Sequence, residues 1–64
     1  MKIEYRIWIT EIGNEQAHVS YIKAQSDAGA RRSLARALRP YGGDGYGWID
    51  WRNEGDGKDM WRTL

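Results

Sequence analysis

The chain has no cysteine and no phenylalanine, one proline, one histidine, and no apolar run near the ~20 residues that span a bilayer. Without cysteine there is neither a disulfide framework nor a thiolate metal site, and a lone histidine cannot build a histidine-based zinc centre without several carboxylates. The start Met1, Lys2, Ile3, Glu4, Tyr5, Arg6 alternates polar with apolar residues instead of offering a signal peptide's apolar stretch, so a cytoplasmic protein is expected. What remains is 64 residues, 41% hydrophobic and 30% charged, a globular composition despite a mean hydropathy of -0.81. That length gives a single domain able to bury roughly 60% of its surface.

The net charge of +1 hides segregation. Residues 1–26 balance Lys2, Arg6 and Lys23 against Glu4, Glu11 and Glu15. Residues 27–41 set Arg31, Arg32, Arg36 and Arg39 against Asp27 alone, and residues 42–64 are net acidic. Segregated charge bears on binding more than the total does.

From Lys2 to Thr10 the side chains alternate, Ile3, Tyr5, Ile7 and Ile9 on one face and Lys2, Glu4, Arg6 and Trp8 on the other, the period of a half-buried strand. Turn residues Gly13, Asn14 and Glu15 precede a second run, His18 to Gln25, that should pair with the first as a hairpin. Its facing is open. The favoured arrangement turns Ser20, Ile22 and Ala24 inward and Val19, Tyr21 and Lys23 outward. Ser26 and Asp27 form an N-cap signal, and a helix to about Arg39 follows, with Ala30, Leu34, Ala37 and Leu38 as its apolar stripe and Pro40 as its stop. Four glycines in Tyr41–Gly47 suggest a loop; Trp48 to Arg52 reads as a third strand, Asn53 to Gly57 as a turn, and Asp59 to Leu64 as a final short strand. The expected fold is α+β: a small antiparallel sheet in the order ββαββ, with the helix packed on one face.

Catalytic chemistry has little to work with: one histidine, three serines and carboxylates mostly on turns. His18 and Ser20 share a strand face without an orienting carboxylate. Asp44, Asp50, Asp56 and Asp59 do not form a calcium loop, and the glycine-rich stretch matches neither phosphate-binding fingerprint. No enzyme, metal or cofactor is expected.

Two features suggest binding. Arg31, Arg32, Arg36 and Arg39 fall within nine residues of one helix without an i,i+4 carboxylate, and guanidinium groups suit phosphates and carboxylates. All eight aromatics are Trp or Tyr. Tyr5 and Trp51 belong to the apolar faces, whereas Trp8 and Trp48 lie opposite them, near Arg6 and Asp50. With Tyr21 and Lys23 they make a second candidate surface, of the residue types that dominate interface hot spots. The alternative is that a small twisted sheet folds these rings onto itself. Trp61 could face either way.

The layout of an N-terminal Met1-Lys2 strand, a second strand ending at Ala24, an alanine-rich helix entered through Ser26, glycine, a Trp-containing strand and a short Trp-containing tail resembles small anti-CRISPR proteins of phages and mobile elements, type I inhibitors in particular. The resemblance covers most of the chain by architecture and supplies no motif from which site residues transfer. It implies a non-enzymatic binder in a bacterial host cell, partnered with subunits of a CRISPR-Cas ribonucleoprotein and blocking target pairing or nuclease recruitment. Several such proteins are strongly acidic mimics of DNA; this chain, at +1 with an arginine helix, does not match that subgroup. The alternatives are a small nucleic-acid-binding protein, with helix arginines on phosphates and Trp8 and Tyr21 stacking bases, and a homodimer compensating for a thin core.

Overall fold

The computed structural model describes residues 3–14, 16–57 and 60–64. The order is β1 (Ile3–Glu11), β2 (His18–Ile22), α1 (Asp27–Leu38), a 3-10 segment (Arg39–Asp44), β3 (Gly45–Asn53) and β4 (Arg62–Thr63). All neighbouring strands are antiparallel, in the spatial order β2-β1-β3-β4. No described helix is long and apolar enough to cross a membrane.

Strand alternation builds the core. Tyr5, Ile7 and Ile9 project from β1 on the same side as Ile49 of β3, and Ala30 of α1 closes over them. Leu34, Ala37 and Leu38 continue the helix stripe onto this cluster, as their spacing predicts. The register sets Ile22 opposite Tyr5 and Ser20 opposite Ile7, so the favoured facing of β2 holds, with Val19 and Tyr21 on the outer face. β2 nevertheless stops at Ile22, not Gln25, because the chain must leave the sheet plane there: Ala24 packs against the core, and a bend at Gln25 and Ser26 leads into the helix layer.

The helix start follows its cap. Ser26 is extended, and its Oγ accepts from the Gly29 amide at 3.1 Å. Asp27 adds a tertiary tie, its carboxylate accepting from the Tyr5 hydroxyl at 2.7 Å. Burial and then the Asp27 hydrogen bond and charge raise the Tyr5 pKa above 10.0. A proton held more tightly in the folded state stabilises it fully below the unfolded pKa, about 10, and that contribution is lost as pH rises through the folded value. Tyr5→Phe is therefore expected to cost about 1.5 kcal/mol at neutral pH and to flatten the alkaline limb of the stability curve. Urea melts from about pH 7 to about pH 11, in steps of about one unit, measure both effects.

The glycine-rich segment differs from the expected loop. The α-helix ends at Leu38, ahead of Pro40 as expected, but Pro40 then sits in the first turn of a 3-10 segment, and Gly42 at φ 60° provides the kink within it. β3 then begins at Gly45 and pairs with β1 through Glu11, longer at both ends than Trp48–Arg52. Here glycine provides closeness as well as freedom. A Cβ on Gly47 would collide with the Trp8 carbonyl oxygen and come within 3.0 Å of Leu34 Cδ1, so the bare backbone lets β1 and the helix approach β3. Gly47→Ala should thus cost about 1–3 kcal/mol by overpacking, although a strain-free Gly→Ala change ordinarily stabilises by about 0.4–1 kcal/mol. Chemical denaturation of the pair decides the sign.

The turn at Asn53–Gly57 is present: the Asp56 amide donates to the Asn53 carbonyl at 3.1 Å, and Gly55 has a φ of 91°. The expected final strand is shorter; Asp59 lies outside the described residues, as do Lys2 and Glu15, and pairing is confined to Arg62 and Thr63.

Candidate functional site

The helix covers one face of the sheet and leaves the other open, which divides the candidate residues into two surfaces. Arg6, Trp8, Tyr21 and Trp48 come together on the open face, because Arg6 pairs across β1 with Tyr21 and Asp50, and Trp8 with Val19 and Trp48. Arg31, Arg32, Arg36 and Arg39 stand on the solvent side of the helix layer. A single surface of aromatics and helix arginines is not what this fold makes.

The open face is organised by an acidic residue whose partners the sequence does not reveal. Asp50 is buried in the middle of β3, where its Oδ2 accepts from Arg6 Nε at 2.9 Å and Trp8 Nε1 at 2.8 Å, and its Oδ1 from Thr63 Oγ1 at 3.2 Å. An acidic residue between Ile49 and Trp51, in phase with Trp48, is the available signal; its partners become visible only with the register. The Arg6 guanidinium lies 5.2 Å from the Trp8 ring centroid and 4.3 Å from that of Trp61, while Arg52 lies 4.4 Å from Trp61 and bonds Glu4 through two nitrogens. Trp61 therefore belongs to the open face, settling its direction. Trp8 and Trp48 stack at 5.8 Å with 13° between their planes.

Those contacts separate the four candidates on this face. Arg6 is fixed by a carboxylate and two rings, and Trp8 has its indole N–H committed, so both hold the sheet together, as the self-folding alternative anticipates. Tyr21 and Trp48 retain exposed ring surface.

On the helix side the arrangement is simpler. Arg32 and Arg36 are one turn apart, about 6 Å along the axis. With Lys23, which lies just past the end of β2 and lines a cleft with Glu4 and Tyr21 as well, so that it does not belong to the aromatic face alone, they border a shallow cleft of about 330 Å³ that also takes in Gln25, Ser26 and Ser33. Arg31 and Arg39 are exposed on the same helix layer and do not line this cleft. Among the described residues none of these five cations forms an ion pair, whereas Arg6, Arg52 and Arg62 pair with Asp50, Glu4 and Asp56. Arg36 and Arg39 also sit at the helix C-terminal end, where cations complement the dipole. His18 and Ser20 share a face of the exposed edge strand β2, opposite Ile9 and Ile7.

The chain matches no protein-family model, no curated protein and no solved structure.

Proposed function

We infer that this is a non-enzymatic binding protein that docks through its basic helix side onto an anionic surface of a larger nucleoprotein. The observation that carries the reading is the gathering of Lys23, Arg31, Arg32, Arg36 and Arg39 as exposed cations without ion-pair partners among the described residues, beside a sheet face whose arginines are already paired. Exposed unpaired guanidinium groups are weakly hydrated and take carboxylates or phosphates bidentately. For the identity of the partner, the architectural resemblance favours a type I CRISPR surveillance complex in a bacterial cytoplasm, with occupancy blocking target DNA pairing or nuclease recruitment.

Direct nucleic-acid binding is the second reading, favoured by one feature: Arg32 and Arg36, a turn apart with Lys23 across a cleft, are placed to contact neighbouring phosphates. A pull-down of tagged protein from a lysate containing the surveillance complex, with and without nuclease, separates them. Recovery of complex subunits after nuclease treatment is the expected result. Recovery of nucleic acid alone, lost on digestion, supports the second reading; recovery of neither removes both.

A further inference from the structure

The cleft beside Lys23 is built from one stripe of the helix and the segment that leads into it. Gly29, Arg32, Ser33 and Arg36 follow the spacing i, i+3, i+4, i+7, so they fall in a single line down α1, and Lys23 to Ser26 complete the lining. At about 330 Å³ the space is at the small end of ligand sites. Among the described residues no carboxylate borders it, and Lys23, Arg32 and Arg36 have no ion-pair partner. Lys23 is shared with the neighbouring cleft, where Glu4 and Glu54 stand and Glu4 is held by Arg52 at 3.0 Å. Of the two clefts, the arginines border only the one without carboxylates.

Gly29 lines this space without a structural need for glycine. It lies in regular helix and is not among the glycines of positive φ. A Cβ built on it would meet Ser26 Oγ at 3.4 Å, Ala24 Cβ at 3.7 Å and Arg32 Nη2 at 3.8 Å, all ordinary contacts. Alanine would therefore fit, and it favours the helix more. What the missing side chain leaves is bare backbone beside a guanidinium, the arrangement in which glycine lets a ligand approach closely.

We propose that this cleft seats one phosphate monoester, held by Arg32 and Arg36 with Lys23 as a supporting charge. A monoester carries about -1.5 to -2 charges at pH 7 and three acceptor oxygens, which answers three cations. A carboxylate, or a phosphodiester within a strand, brings a single charge and leaves the cleft positive. Guanidinium forks engage phosphate oxygens bidentately, and lysine acts as a point charge. The inference rests on the reading of the helix side as the binding side and narrows it: the anion recognised is a terminal phosphate, carried by a small free molecule or by the end of a nucleic-acid strand.

Amide NMR titration of the intact chain with inorganic phosphate, against acetate at equal ionic strength, tests it. Phosphate is expected to shift Gly29, Arg32, Ser33 and Arg36 saturably with a Kd of about 1–10 mM, and acetate is not. Arg32→Gln should weaken binding at least about 10-fold at an unchanged circular dichroism spectrum. Gly29→Ala should weaken it several-fold while the thermal midpoint stays or rises, a combination that general loss of structure does not give. A 5′-phosphorylated oligonucleotide and its 5′-hydroxyl form distinguish the sources. Tighter binding of the phosphorylated strand than of inorganic phosphate assigns the cleft to a strand end; a phosphorylated strand that binds no tighter assigns it to a small free phosphate. Equal binding of the two strands, equal shifts with acetate, no saturable shift, or full affinity in Arg32→Gln overturns the proposal. If that happens while the ribonucleoprotein is still captured, and capture is still lost on Arg32→Glu with Arg36→Glu, the docking reading stands without the phosphate site. A phosphate site in a chain that captures nothing supports the proposal and removes the docking.

Discussion

Asp50→Ala is expected to lose about 3 kcal/mol and to leave the domain only marginally stable at 25 °C. The substitution removes one carboxylate and strands three donors: the Arg6 guanidinium, the Trp8 indole N–H and the Thr63 hydroxyl. Removing one partner of a buried pair costs about 3–5 kcal/mol because the remaining charge is left uncompensated. Arg6 keeps some solvent access, with 21% of its side chain exposed, so the lower end of that range applies. A domain of this size has only about 3–5 kcal/mol in total. Asp50→Asn keeps an acceptor for the indole while losing the charge, and should fall between wild type and Asp50→Ala. Urea melts followed by far-UV circular dichroism measure the series. An Asp50→Ala protein within about 0.5 kcal/mol of wild type would mean that the open-face network contributes no more than an ordinary surface contact.

The second large effect is on binding. Arg32→Glu together with Arg36→Glu changes the charge of the helix side by four without touching the core, since both side chains are exposed and neither pairs with a carboxylate among the described residues. Placing like charges against an anionic partner costs several kcal/mol, so affinity should fall at least about 100-fold while the circular dichroism spectrum stays as it is. Unchanged affinity would make the arginines a solvated helix face. If the partner surface is phosphate, each lost contact also lowers the slope of log affinity against log salt by about 1. A protein surface of carboxylates gives a shallower dependence, so the same variant distinguishes the two kinds of anion.

The α+β architecture was legible because each element advertises itself locally. β1 alternates without interruption over Ile3, Tyr5, Ile7 and Ile9, and Ser26-Asp27 followed by the Ala30, Leu34, Ala37, Leu38 stripe specifies a capped amphipathic helix. The glycine-rich stretch misled because composition does not say why a glycine is there. Gly42 uses its conformational freedom, whereas Gly47 is a place of close backbone approach inside a strand, and both read alike in sequence. The facing of β2 depended on a choice between two phases, which the pairing of Ile22 with Tyr5 resolves.

The candidate surfaces were legible as residue types but not as a geometry. The arginine cluster is visible along one helix, yet its separation from Trp8 and Trp48 follows from the helix covering the opposite side of the sheet. Arg6 and Trp8 read as binding residues from their exposed phase, and only the register brings Asp50 beside them to occupy their donors. Trp61 joins that network from a tail too short to show an alternation.

Arginine modification with a dicarbonyl reagent, quantified residue by residue by mass spectrometry on the free protein and on its complex with the surveillance ribonucleoprotein, tests the binding account most directly. The account predicts that Arg31, Arg32, Arg36 and Arg39 react in the free protein and that Arg32 and Arg36 are shielded on binding, while Arg62, exposed beside Trp51, keeps its reactivity. Equal labelling of the helix arginines in free and bound protein would place the contact elsewhere and contradict the account.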